Sequence, residues 1–236
     1  MLIAESHKDP HDTSSRLAEQ ALRALRELLL GFQTVDLARH DPRHIHAGLL
    51  TVVLRLVFLR YAEDRGLLPG EPSSSADSVT SLHLRLRDDA ARDPDTMDHR
   101  FGAWSTLLAR FRLLHSDGAL HLFDPDRYPF LAARIPDSVL WRVLQALLVL
   151  KDEPLSCRPL DVEHIGTVYE SLIGYTLDRA APGRKPSPRT LATVPAGALS
   201  LQPGEARRRS GSHYTPRSLS EPIVRTALRP VLAALG

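Results

Sequence analysis

Arg207-Arg208-Arg209-Ser210-Gly211-Ser212-His213-Tyr214-Thr215-Pro216 carries the densest chemistry of this 236-residue chain. Three cations lead into a Gly-Ser turn. Thr is a good helix N-cap, and Pro is favoured at the first helical position. The segment therefore predicts a loop ending on a helix N-terminus, whose free N–H groups and dipole suit a polar or anionic ligand. Tyr214 adds an aromatic face and a phenol beside it. Taken alone, the same spacing also describes an ordinary capped helix with a tyrosine packed before it.

Other residue constellations offer less. His40, His44 and His46 cluster where a helix is expected to begin, and two of them at i and i+4 could open a zinc site. Asp41-Pro42 starts that helix between them and no third ligand follows at a suitable spacing, so a solvated helix start is expected. A metal-dependent nuclease of the PD-(D/E)xK type needs a lysine beside its carboxylates. Pro94-Asp95, Pro125-Asp126 and Pro136-Asp137 supply the first half, but Lys8, Lys151 and Lys185 have no acidic residue two places before them. The three Pro-Asp pairs read better as turns or caps. Tyr61-Ala62-Glu63-Asp64-Arg65-Gly66 reads as a salt-bridged, capped helix end. Cys157, the single cysteine, has no neighbouring base, and no P-loop or GxG turn after a strand is present.

Composition, with 43% apolar residues and a net charge of +2, is compatible with a soluble protein, and a single cysteine fits the reducing cytoplasm, the expected location. The charge is uneven: residues 181–217 carry +6 and the remainder −4. A phosphate backbone is one partner that explains such a patch, while basic Pro/Gly-rich linkers also occur without a partner. The N-terminus has no signal pattern. Leu49 to Tyr61 is too short to span a bilayer and contains Arg55 and Arg60, which predicts a buried helix.

The elements that must position the chemistry are helical. Residues 1–13 read as disordered. Ser14 to Gly31 forms an amphipathic helix, with Gly31 placed to end it. Asp41 caps a helix that runs to Gly66 and is apolar on most sides, the expected centre of a bundle. Val79 to Ala91 is weakly helical, and Phe101 to Leu114 presents another helix face. One brief strand fits Ala119 to Phe123. Asp137 and Asp161 are the expected caps of two further helices, the second with Ile165, Val168, Tyr169, Leu172, Ile173 and Leu177 inward. The predicted fold is mainly α: a helical domain over 14–179, a basic Pro/Gly-rich linker over 180–209, and a last segment, 210–236, with a helix from Pro216 kinked at Pro222.

Four blocks in this chain resemble the N-terminal half of large adenine-specific DNA methyltransferases, the class found in type IIG restriction–modification enzymes and related phage-defence methylases. They are Leu54–Pro69 (LRLVFLRYAEDRGLLP), Leu122–Leu131 (LFDPDRYPFL), Leu160–Glu170 (LDVEHIGTVYE) and Arg208–Arg217 (RRSGSHYTPR), in the family's order. The resemblance implies that Tyr-Thr-Pro is methylase motif X, so that His213, Tyr214, Thr215 and Pro216 wall an S-adenosylmethionine pocket beside a Rossmann-like sheet. It also implies DNA as a partner, with Arg207, Arg208 and Arg209 as accessory phosphate contacts.

The departures are as informative. This chain contains neither the Gly-rich FxGxG turn that holds the cofactor nor the (N/D)PP(Y/F) motif that receives a flipped adenine. No catalytic residue is assigned, and S-adenosylmethionine is expected only together with a methyltransferase core that these residues do not include. The last residues, Ala233-Ala234-Leu235-Gly236, fall where the family's first core strand begins, so the expectation is a truncated fragment, inactive alone. The alternative is a non-catalytic helical module that partners a separately encoded core. A third reading, a small basic DNA-binding protein, would rest on three arginines that neutralise only about two to three phosphates.

Overall fold

A computed structural model describes residues 10–35, 37, 39–68, 78–116, 121–150, 153–154, 162–179, 198–204 and 224–226. The architecture is mainly α. In chain order the elements are α1 (Pro10–Phe32), α2 (Pro42–Asp64), α3 (Val79–Arg92), α4 (Gly102–Ser116), α5 (Asp137–Leu148), β1 (Val149–Leu150), β2 (Glu153–Pro154), α6 (Val162–Ile173), β3 (Tyr175–Arg179) and β4 (Leu199–Pro203). Short 3-10 turns lie at Pro94–Thr96, His121–Phe123 and Pro129–Ala132.

Helix α2 is the centre of the domain and meets α1, α3, α6, β3 and the 121–123 turn. It starts as the sequence predicts: Asp41 accepts a hydrogen bond from the Arg43 N–H at 3.2 Å, and Pro42 occupies the first turn. Its other end closes in a Schellman motif. Gly66 sits at φ +62°, its N–H donates to the Glu63 carbonyl at 3.2 Å, and the Leu67 N–H donates to the Ala62 carbonyl at 2.9 Å. By length and composition this helix could cross a membrane, but 67% of its apolar window is buried inside the protein, the expected property of a core helix.

Helix α1 lies mainly along α5 and α6. Leu17, Ala21, Leu25, Leu28 and Phe32 form its buried stripe, as their spacing predicts. Gly31 does not end the helix. It sits where a Cβ would collide with the side chain of Val139, so its role is to let α1 approach α5 closely. The helix also begins at Pro10, earlier than periodicity placed it.

The start of α5 differs from expectation in an instructive way. Asp137 is the first residue of that helix and does not cap it. Its carboxylate instead accepts from the Ala103 N–H at 2.8 Å and so caps α4. The 3-10 turn after α3 brings the two helix starts side by side, and the Asp137 N–H donates back to the Arg100 carbonyl at 2.8 Å. One buried carboxylate thus faces two positive helix ends, with Arg100 3.8 Å away.

Strands are sparse. Residues 121–123 form a 3-10 turn and not the end of a strand, while 119–120 lie outside the described residues. The stretch expected to be a linker contains β4, which pairs antiparallel with β3, Leu177 opposite Leu201. Helix α6 accordingly ends at Ile173, and Leu177 is buried from a strand and not from a helix. Tyr169 and Ile173 were expected inward but are 47% and 43% exposed, because the packed side of α6 is the one carrying Val168 and Leu172. Asp161 and Cys157 lie outside the described residues, as do Pro216 and Pro222. Of the expected last helix only residues 224–226 are described, and they are helical.

Gly31→Ala should lower stability by up to about 2 kcal/mol, since overpacking costs about 1–3 kcal/mol against a helix-propensity gain of about 1 kcal/mol. Gly102→Ala, whose Cβ would meet nothing within 4 Å, should be neutral or slightly stabilising. Urea titration of both variants checks the contrast, and equal midpoints would refute the close-approach role.

Candidate functional site

The residues assigned by resemblance to the cofactor wall, His213, Tyr214, Thr215 and Pro216, lie outside the described residues, as do Arg207, Arg208 and Arg209. The structure does describe what joins the first two resemblance blocks. Arg55, on α2, is 2% exposed. Its Nε donates to the Leu122 carbonyl at 2.7 Å and its Nη2 to the Asp124 carbonyl at 2.8 Å. The guanidinium lies 5.1 Å from the Phe111 ring centroid and 5.7 Å from that of Phe123. Burial lowers its pKa to about 10, with the nearby Asp124 opposing the shift, so the group stays charged at neutral pH.

The segment that follows is folded against the start of α2. Asp124 accepts from the Asp126 N–H at 2.9 Å, which makes Pro125-Asp126 a turn, as its sequence predicts. Phe130 enters the space left by the missing side chain of Gly48, where a Cβ would come within 2.5 Å of the ring. Phe32 packs edge-on against both Phe130 and Trp104, and Trp104 donates its indole N–H to the Leu131 carbonyl at 2.8 Å. His40 and His44 complete this aromatic cluster. Their rings stack at 6.5 Å, and His44 lies 5.2 Å from Tyr128. The histidines therefore pack on rings, and no group of three His, Cys, Asp or Glu among the described residues is arranged to hold a metal.

At the far end of α2, Arg60 pairs with Asp64, and the Arg65 guanidinium lies 4.5 Å from the Tyr61 ring centroid, so the helix end is salt-bridged as predicted. Glu63 has a larger role. It is 4% exposed, accepts from the Val79 N–H at 2.7 Å at the start of α3, and faces Arg110 at 3.4 Å. Burial pushes its carboxyl above the usual glutamate value, against the pull of the Val79 hydrogen bond and of Arg110.

A cleft of about 200 Å³ opens between α2, α3 and the α5–β1 junction. Arg60 comes from the first. Thr80, His83, Leu84 and Arg87 share one face of the second at helical spacing, and Gln145, Leu148 and Val149 come from the third. His83 Nε2 and Gln145 Oε1 are 2.9 Å apart, and since the amide oxygen can only accept, the imidazole nitrogen donates. Sequence reading singled out neither this cleft nor the clamp made by Arg55. A charged residue inside an otherwise apolar helical run was the available signal for Arg55. His83 and Gln145 are 62 residues apart and gave none.

Arg55→Lys should lose about 1–3 kcal/mol, because an ammonium cannot span two carbonyls and one buried acceptor goes unpaired. Arg55→Met should lose more, and denaturant midpoints equal to the parent's would refute the clamp. Burial also holds the His46 and His83 imidazoles below the ordinary 6.5. The unfolded chain then takes up these protons first as pH falls. The stability the two contribute is complete above about pH 6.5 and is lost as pH drops through that value toward the folded-state pKa. Urea midpoints measured from about pH 7.5 to about pH 5.5 should fall, and His83→Gln should flatten part of that slope.

No family model matches the chain, and no characterised protein or solved structure shows significant similarity to it.

Proposed function

We propose that this chain supplies the helical scaffold and one wall of the cofactor site of an adenine-N6 DNA methyltransferase of the restriction–modification or phage-defence kind, and that the rest of the S-adenosylmethionine pocket and the adenine-binding groups come from a core outside these residues. The observation that carries the reading is the order of the four sequence blocks, Leu54–Pro69, Leu122–Leu131, Leu160–Glu170 and Arg208–Arg217. It is supported by contact between the first two, through Arg55 and the carbonyls of Leu122 and Asp124.

The chemistry of the chain limits its part in such a reaction. Methyl transfer to adenine needs an acceptor for the exocyclic amino group and a ring to stack on the flipped base. The (N/D)PP(Y/F) motif that does both is missing from the sequence, so the scaffold would position and not react. His213, Tyr214, Thr215 and Pro216 would form one wall of the cofactor site, and Arg207, Arg208 and Arg209 would add sequence-independent phosphate contacts.

A second reading, a helical module that docks on a separately encoded core, is favoured by Tyr169 and Ile173. They stand four residues apart on α6, 47% and 43% exposed.

The chain by itself should transfer no methyl group to DNA and should give no calorimetric signal with S-adenosylmethionine at micromolar concentration. Reading the native DNA past the Gly236 codon in all three forward frames should reveal an FxGxG turn and an (N/D)PP(Y/F) motif. Their absence over several hundred codons would overturn the scaffold reading, and cofactor binding by the chain alone would overturn its division of labour.

A further inference from the structure

Helix α3 is a peripheral helix of the domain. It packs mainly on α5 and more lightly on α2, whereas α5 is itself packed on α1 and α4. Its buried side chains are Val79, Leu82, His83 and Leu86, so an imidazole is one of the four that seat it. Polar side chains fasten it at three heights. The Val79 N–H donates to Glu63 at 2.7 Å, His83 Nε2 donates to Gln145 Oε1 at 2.9 Å, and Arg100 donates to Asp89 at 2.9 Å. We propose that α3 is an acid-released latch: a proton on His83 undocks it from α5 while the rest of the domain stays folded. This latch does not depend on the methyltransferase reading.

The docked helix is a poor place for a charged imidazole. The His83 ring is 6% exposed, and its Nε2 proton is already committed to Gln145, so an added proton goes to Nδ1. Burial first, and Arg87 one turn along α3 second, disfavour that charge, while the Gln145 hydrogen bond favours it. The charged groups beside the ring are Arg87 on α3, paired with Asp88, and Arg60 on α2, paired with Asp64. From α5 and β1 come only the neutral Gln145, Leu148 and Val149, and no carboxylate lines the cleft at the ring. Swinging α3 outward hydrates the imidazole and uncovers three buried apolar side chains of its own. Moving α5 instead would also open the contacts of α5 with α1 and α4. Glu63 acts in the other direction. Burial pushes its carboxyl up, so its proton favours the docked helix, and release is the net of the two effects.

Amide hydrogen exchange on the full chain, expressed as protection relative to the unstructured rate at each pH, tests the latch. Between about pH 7.5 and about pH 5.5 the α3 amides from His83 to Ala90 should lose protection several-fold. The ceiling is about tenfold, because the hydrated imidazole titrates near 6.5 and the lower pH lies about one unit below it. Amides of α1 and of the α5 interior should keep their protection. His83→Gln retains a donor for Gln145 and takes up no proton, so its α3 protection should not fall over this range. His46→Gln removes the imidazole on α2 that burial also shifts, and should leave the α3 effect intact. Within the parent chain, loss of α3 protection should follow the titration of the His83 ring resonances, a readout that stands even where a variant does not fold. Equal loss in α3 and α5, constant protection of α3, or a midpoint unlike that of the His83 ring would overturn the latch. So would a loss that persists in His83→Gln or disappears in His46→Gln.

Discussion

The guanidinium of Arg55 ties the central helix to a segment 67 to 69 residues further along the chain. It leaves the middle of an apolar helix, crosses between Phe111 and Phe123, and ends on the carbonyls of Leu122 and Asp124. A charge this buried is costly unless every part of it is engaged. Here two of its N–H groups meet the Leu122 and Asp124 carbonyls, and the rings of Phe111 and Phe123 lie near the guanidinium. The arginine gives the Leu122 and Asp124 carbonyls a side-chain partner. Once residues 122–124 are held, the chain behind them is directed over Gly48, where Phe130 and Trp104 close the core.

The same economy recurs at the other helix junctions, where one buried carboxylate joins two elements. Glu63 ends α2 and receives the first N–H of α3, and Asp137 begins α5 and caps α4. Each sits at a helix N-terminus, where the dipole favours negative charge, and each has an arginine near it. Side chains that cap a neighbour and not their own helix fix how the helices meet, which apolar packing alone leaves loose. The hairpin of β3 and β4 is fastened in a comparable way. Arg179 donates to the carbonyls of Leu37 and His40, and Gln33 donates to that of Leu199.

The Arg55 and Glu63 junctions tie α2 to the 122–124 segment and to α3, and the Asp137 junction ties α4 to α5. Among the described residues the cleft beside His83 is bounded by helices and not by loops, so its arginines and amide are held by the packing of α3 against α5.

Local pattern determined most of the helices. The 3.6-residue spacing of Leu17 to Phe32 and of Ile45 to Leu59 reports which face is buried, and Asp41-Pro42 and Gly66 mark ends because their chemistry acts within one turn. The four resemblance blocks, and the absence of the two core motifs, are likewise properties of the sequence alone. Tertiary structure decided what depends on a partner far along the chain. Gly31 is a contact with Val139 and not a helix stop, and Asp137 caps α4 and not α5. Leu199–Pro203 becomes a strand only because Tyr175–Arg179 lies beside it. Tyr169 and Ile173 have the spacing of core residues and are exposed because the packed face of α6 carries Val168 and Leu172. A single element encodes its own period and its ends, but which neighbour satisfies a given side chain is set by how the elements pack.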